Sequence, residues 1–370
     1  MRTRLMTTLT AAILTVMCLT LTACPDDSSD EDDPQLQTFN ADFMLENYAV
    51  DVVTATYAAL QTAAEELEDA ANDLDGTRTT GNVTAAQVAW RAAREPWENS
   101  EAFLFGPVDT AGYDPRMDTW PLNGTDMDAI LAGSATLNAA FFASAADDVK
   151  GFHAIERLIF GDGGSIDTAA EILAELDGDT RRYEYLIGAC ADLVAATTAL
   201  HTAWRSTGGD YQDNFINTGG SSVYPSQKAA ILEWVEGMIT IADEVGSGKL
   251  ATPFGPPADI DAVESRFAFN SQKDFADNIR GIQNAYLGNF GGFDGPGLEI
   301  FVASRNDELD QEIRDAIELA IFEIEDIPVS FEDAITNNRP EVQDAIDAVL
   351  ALRDVLNDEL IPFLNNSNFQ

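Results

Sequence analysis

The stretch KGFHAIERLIFG, residues 150 to 161, sets His153 three positions before Glu156 and between two glycines. The chain holds only two histidines, so this imidazole is a scarce group in a defined place. Positions i and i+3 of a helix share a face, so both side chains can reach one point. An imidazole nitrogen and a carboxylate oxygen suit zinc or iron. The same pair also serves as packing, a buried His hydrogen-bonded to a Glu one turn away. The HExxH helix of zinc proteases is absent. Carboxylate-bridged di-iron bundles use two Glu-x-x-His copies, whereas here the order is reversed and occurs once. His201, in LHTAW, has no acid three or four positions away and reads as a core or surface residue.

Helices must carry these groups. Val50, Val53, Tyr57, Leu60, Ala64, Leu67, Ala71 and Leu74 recur at spacings of three and four, which predicts a long amphipathic helix. Residues 83 to 104 repeat the pattern with Val83, Val88, Trp90, Trp97 and Phe103. A shorter helix over 147 to 160 opens on Asp147 and Asp148 and closes at Gly161. Residues 168 to 206 form a further run. Between 106 and 125 lies a long Gly/Pro/Asn-rich loop with aromatic content, the kind that often carries function. A second break covers 206 to 226, after which helical runs resume at 226–246, 257–288, 298–325 and 340–358. No stretch alternates as a strand does. The pattern predicts an all-α fold of two helical bundles, residues 38–215 and 216–370. EAFLFG (101–106) and ESRFAFN (264–270) each place a Glu before two Phe, a faint echo consistent with duplication.

The first 23 residues read as a lipoprotein signal peptide: Arg2 and Arg4, an apolar run, then Leu21-Thr22-Ala23-Cys24. Lipidation is expected at Cys24, with residues 24–37 as an acidic tether. The alternatives are an ordinary secretory signal or a single membrane anchor. Cys18 leaves with the signal, so Cys190 alone remains in the body and no intrachain disulfide can form. The chain carries 20 Lys and Arg against 64 Asp and Glu, a net charge of −44, which excludes nucleic acid and anionic lipid as docking partners. Abundant acid with only four lysines (Lys150, Lys228, Lys249, Lys273) suits salty surroundings that screen self-repulsion.

With its neighbours, the opening stretch resembles the GxHxxE signature of the imelysin (M75 peptidase) family, as Gly151, His153 and Glu156. WRAAREPWENSEAFLFGPVD (90–109) is similar to the family's first-domain segment, with Trp90, Arg94, Glu101, Phe105, Gly106 and Pro107 in place. DPRMDTWPLN (114–123) looks like its Arg-x-x-x-Trp-Pro stretch. VESRFAFNSQKDFADNIRGIQNAYLG (263–288) is similar to its second-domain segment. The resemblance implies two related helical bundles in an exported or lipid-anchored protein of the cell envelope, periplasmic or surface-exposed. It also implies one site between the bundles, a link to iron uptake with iron-transport components as partners, and a founding description as metallopeptidase.

On that basis His153, Glu156, Glu101 and Asp118 are candidate metal ligands, for iron first and zinc second. Arg94, Trp120, Glu264 and Ser271 are candidate ligand-binding residues. Arg94 could hold a ligating carboxylate or an anionic ligand, or form a surface ion pair with Glu95 and Glu98. Asp118 could equally cap a turn, and Glu264-Ser265 start a helix. Trp90, Trp97 and Phe103 read as core. Three functions stay open: metal or metal-complex binding for iron uptake, a zinc peptidase, and metal-free binding of a peptide or glycan. The peptidase needs three protein ligands and a general base, which one His and one Glu do not supply.

Overall fold

The computed structural model describes residues 37–163 and 167–370. The signal peptide, Cys24 and the tether up to residue 36 lie outside the described residues. The fold is all-α. Its long helices are α1 (Ala55–Gly76), α2 (Thr80–Ser100), α3 (Gly151–Phe160) and α4 (Arg181–Trp204), then α5 (Gln227–Asp243), α6 (Ser271–Leu287), α7 (Asp307–Glu325) and α8 (Arg339–Val355). The only strands among the described residues are a two-residue hairpin, Asn289–Phe290 against Phe293–Asp294.

The apolar stripe read from spacing is the buried face of α1: Tyr57, Leu60, Ala64, Leu67, Ala71 and Leu74 have no exposed surface. This face packs on α2 and α4, and α3 fills the space beside α2 and α4. In the second half, α7 packs on α8 and α6, while α5 lies against α8 and α6. Helices α2 and α6 join the two groups. Their close approach requires Gly281, where a Cβ would lie 2.3 Å from the Asn99 carbonyl oxygen. The first of the described residues also reach across. Phe39 bridges to Phe369, and Asn47 Nδ2 donates to the Gly288 carbonyl at 2.9 Å.

Several expected boundaries shift. The run over 168–206 is two helices, Ala169–Gly178 and α4, with α4 beginning only after Thr180. The first of them is capped reciprocally by Thr168 and Glu171. The run over 257–288 holds one 3-10 turn, Ile260–Ala262, and is α-helical only from Ser271. Residues 259–270 instead form a tight connection with Ser265 and Phe269 at positive φ, so Glu264-Ser265 starts no helix. The 106–125 loop contains the short helices Pro107–Thr110 and Tyr113–Asp118. Helix α5 continues through a π-helical turn, Glu244–Leu250, which re-aims the side chains that follow it.

Candidate metal centre

The site forms where α2, α3 and α6 meet the two irregular connections. One stripe of α2 carries Trp90, Arg94, Trp97, Glu98 and, one 3-10 turn later, Glu101. Arg94 is fully buried and is the hub. Its guanidinium pairs with Asp118 and with Glu98, reaches Glu264 at 2.7 Å and lies 3.3 Å from Asp274. Asp118, the last residue of Tyr113–Asp118, also accepts the Trp97 indole N–H at 2.5 Å. The helix α3 can bring His153 there because Gly151 begins it at φ +71°, where a Cβ would lie 2.1 Å from the Met117 carbonyl oxygen. Only glycine fits that contact and that backbone angle.

His153 Nδ1 and Glu156 Oε2 are 2.9 Å apart. The other Glu156 oxygen accepts the Ala268 N–H at 2.8 Å, so both carboxylate oxygens are engaged and Glu156 orients the imidazole. On the far side, His153 Nε2 lies 3.1 Å from Asp118 Oδ1. It is wholly buried, and Asp118 is the partner it faces. The Trp120 ring meets the imidazole edge-on at 4.7 Å between centroids.

From the second half, Lys249 Nζ sits 2.6 Å from Glu101, 3.3 Å from Glu264 and 3.5 Å from Glu98. Asn278 Nδ2 donates to both Glu98 and Glu101 at 2.6 Å. Asp274 is held by Ser265 at 2.5 Å and by Asn270 at 2.7 Å. A cavity of about 490 Å³ opens onto this network, and its wall includes Glu101, Asp114, Asp118, Glu244, Glu264 and Trp120. Lys249 is the only lysine or arginine among the described residues that line it.

The electrostatics follow from burial and charge count. Burial pushes the Glu98 carboxyl up to about 8, against the opposing pull of Arg94 and Lys249. Burial likewise raises Glu101 well above its ordinary value and Asp274 to about 6. Asp118 moves the other way. Burial would raise it, but Arg94, His153 and Lys249 together hold its carboxyl far below the usual range. Burial disfavours a charged imidazole, yet Asp118 and then Glu156 push His153 up to about 10.

All eight candidate residues lie in this region, in different roles. His153, Asp118, Arg94, Glu264, Glu101 and Trp120 converge. Glu156 stands behind His153. Ser271 is fully buried away from the cavity, bonded to the Glu264 carbonyl and to Glu332 at 2.9 Å. The alternative of a surface ion pair for Arg94 falls, since both it and Glu98 are completely buried. His201 pairs with Gln61 at 2.8 Å, apart from the site.

The sequence model of the imelysin family, peptidase M75, matches residues 53–358. The chain belongs to the imelysin family. Iron-regulated protein A of Synechococcus elongatus is 28% identical over 336 residues, covering 89% of this chain and 88% of that protein. A crystal structure assigned to an iron-regulated protein A precursor from Parabacteroides distasonis superposes with a TM-score of 0.77 at 25% identity, over 90% of this chain and 97% of that one. An imelysin-like protein from Psychrobacter arcticum shares the fold, with a TM-score of 0.69 at 16% identity over 87% and 94% of the two chains.

Within this imelysin fold, two sets of donor atoms among the described residues lie within 4.8 Å of one another: Asp118, His153 and Glu264, and Glu98, Glu264 and Asp274. The first set fits a metal ion. It joins a buried imidazole nitrogen to two carboxylates on the cavity wall. Reading residues by type missed Lys249, Glu98, Asp274 and Asn278 as site members. Glu98 was within reach, because it follows Arg94 by one turn on the stripe that buries Trp90 and Trp97.

Proposed function

We propose that this imelysin is a lipid-anchored envelope protein that binds a metal ion, iron foremost, and serves its uptake. One observation carries the reading: buried carboxylates outnumber buried cations around the His153 imidazole. Glu98, Glu101, Asp118, Glu156, Glu264 and Asp274 pair with Arg94, Lys249 and His153, and the half-buried Arg91 adds its charge near Glu156 and Asp274. Low-dielectric surroundings make such an excess costly, and a cation offsets it. Asp118, His153 and Glu264 would hold the ion, with Glu156 fixing the imidazole. Mixed nitrogen and oxygen donors suit iron or zinc. The choice of iron rests on the name of the Synechococcus relative, and the envelope location on Cys24 and its lipobox.

Binding and release fit this arrangement better than hydrolysis. The Glu156 oxygens are both engaged, so it offers no free general base, and the second histidine is bonded elsewhere. The test is to dialyse the protein against iron, zinc, copper and calcium in turn and count bound atoms by mass spectrometry. A His153→Ala/Glu156→Ala variant is run alongside. Iron retained by the parent and lost from the variant supports the proposal. No retained metal in either protein contradicts it. Incorporation of labelled fatty acid, abolished by Cys24→Ala, tests the anchor.

A further inference from the structure

Two cations stand inside the carboxylate network, and they are held differently. Arg94 is wholly buried and fixed by four carboxylates, and its guanidinium is a rigid fork that stays charged. Lys249 ends a flexible stem on the cavity wall, and its side chain keeps 8% of its surface exposed. The lysine comes from the π-helical turn Glu244–Leu250, in the segment GSGKL. Its ammonium sits among Glu98, Glu101 and Glu264, as a small metal ion would. Glu264 is also a member of the Asp118, His153 and Glu264 donor set. An entering cation must therefore share or take this carboxylate from Lys249.

We infer that Lys249 is a tethered competitor cation: it occupies Glu264 and Glu101 when the site holds no metal, and it yields Glu264 when metal enters. The inference rests on the metal-binding reading above. Competition of this kind lowers affinity and favours release, which suits a protein that passes its ion on. It also makes the site selective, because a ligand must bring positive charge into an acidic cavity whose one ammonium is already committed. Anionic metal chelates meet Asp114, Asp118, Glu244 and Glu264 on the wall and are disfavoured.

The test is anaerobic calorimetry with ferrous ion, and in parallel with zinc, on the parent, Lys249→Met and Lys249→Arg. His153→Ala serves as the control for the metal reading. Lys249→Met is expected to bind at least about tenfold more tightly, and Lys249→Arg to stay near the parent. Removing the ammonium leaves buried carboxylates uncompensated, so Lys249→Met/Glu101→Gln is measured as well. It drops one negative charge, keeps the Asp118, His153 and Glu264 donors, and should also bind more tightly than the Glu101→Gln single variant. Circular dichroism checks that each variant is folded. If parent and Lys249→Met bind equally, or the variant binds more weakly, the competitor role is overturned while metal binding stands. If no protein binds either ion, both ideas fall together.

Discussion

At the scale of single residues, the network must hold protons whenever it holds no other cation. Six carboxylates around Arg94, Lys249 and one imidazole cannot all ionise in a buried space. Glu98 at about 8 and Asp274 at about 6 express this, both driven first by burial. The sign is definite: the folded state binds more protons than the unfolded chain between about pH 4.5 and 8, so stability falls as pH rises through that window. His153 adds to the trend, since its stabilisation is complete below about 6.5 and is lost as pH climbs towards 10. The melting temperature without metal is therefore expected to be higher at pH 5.5 than at pH 8.5, and added ferrous ion should narrow that gap. A flat profile would contradict the buried charge excess. Metal affinity should rise with pH as protons leave the ligands. Glu156→Gln should weaken metal binding by about 10- to 100-fold without abolishing it, because this residue acts through His153. Of these groups, His153 and Glu156 could be read from spacing alone. Lys249 could not, because a lysine in GSGKL looks like solvent-facing chain until the π turn directs it inward.

At the scale of elements, two glycines set the distances that the site needs. Gly151 lets the first turn of α3 touch the Met117 carbonyl, which places His153 beside Asp118 one residue further on. Gly281 lets α6 press against the end of α2, where Glu98 and Glu101 meet Asn278. Gly151→Ala combines a backbone angle that alanine disfavours with a hard contact, and should cost about 2–4 kcal/mol. Chemical denaturation checks that figure, and metal binding should fall with it. Helix existence was legible from periodicity where the apolar face is clean, as in α1, whereas α2 buries Arg94 and Glu98 on its stripe and leaves Val88 of the expected pattern exposed. Their ends were less so. The connection 259–270 reads as helix by composition, yet the positive φ of Ser265 and Phe269 breaks it. That break carries Glu264 to Arg94 and Lys249. The expected helix missed the turn because its positive-φ positions are not glycines, so nothing in the residue types announced them.

At the scale of the whole molecule, the two halves meet through charge. The faint echo between residues 101–106 and 264–270 has a spatial counterpart, since Glu101 and Glu264 approach the same ammonium from opposite halves. A net charge of −44 surrounds this interior with further acid. Self-repulsion of that size is screened by salt, so the melting temperature should rise between 0.1 and 1 M sodium chloride. Thermal scans across that range check it, and a fall would contradict it. The same field attracts metal ions to the cavity mouth and repels anionic chelates. The central claim is that this interior is built for a cation, and anaerobic calorimetric titration with ferrous ion tests it most directly. The account predicts about one ion per chain in the parent protein and none in His153→Ala. Saturation of both proteins alike, or of neither, would contradict it.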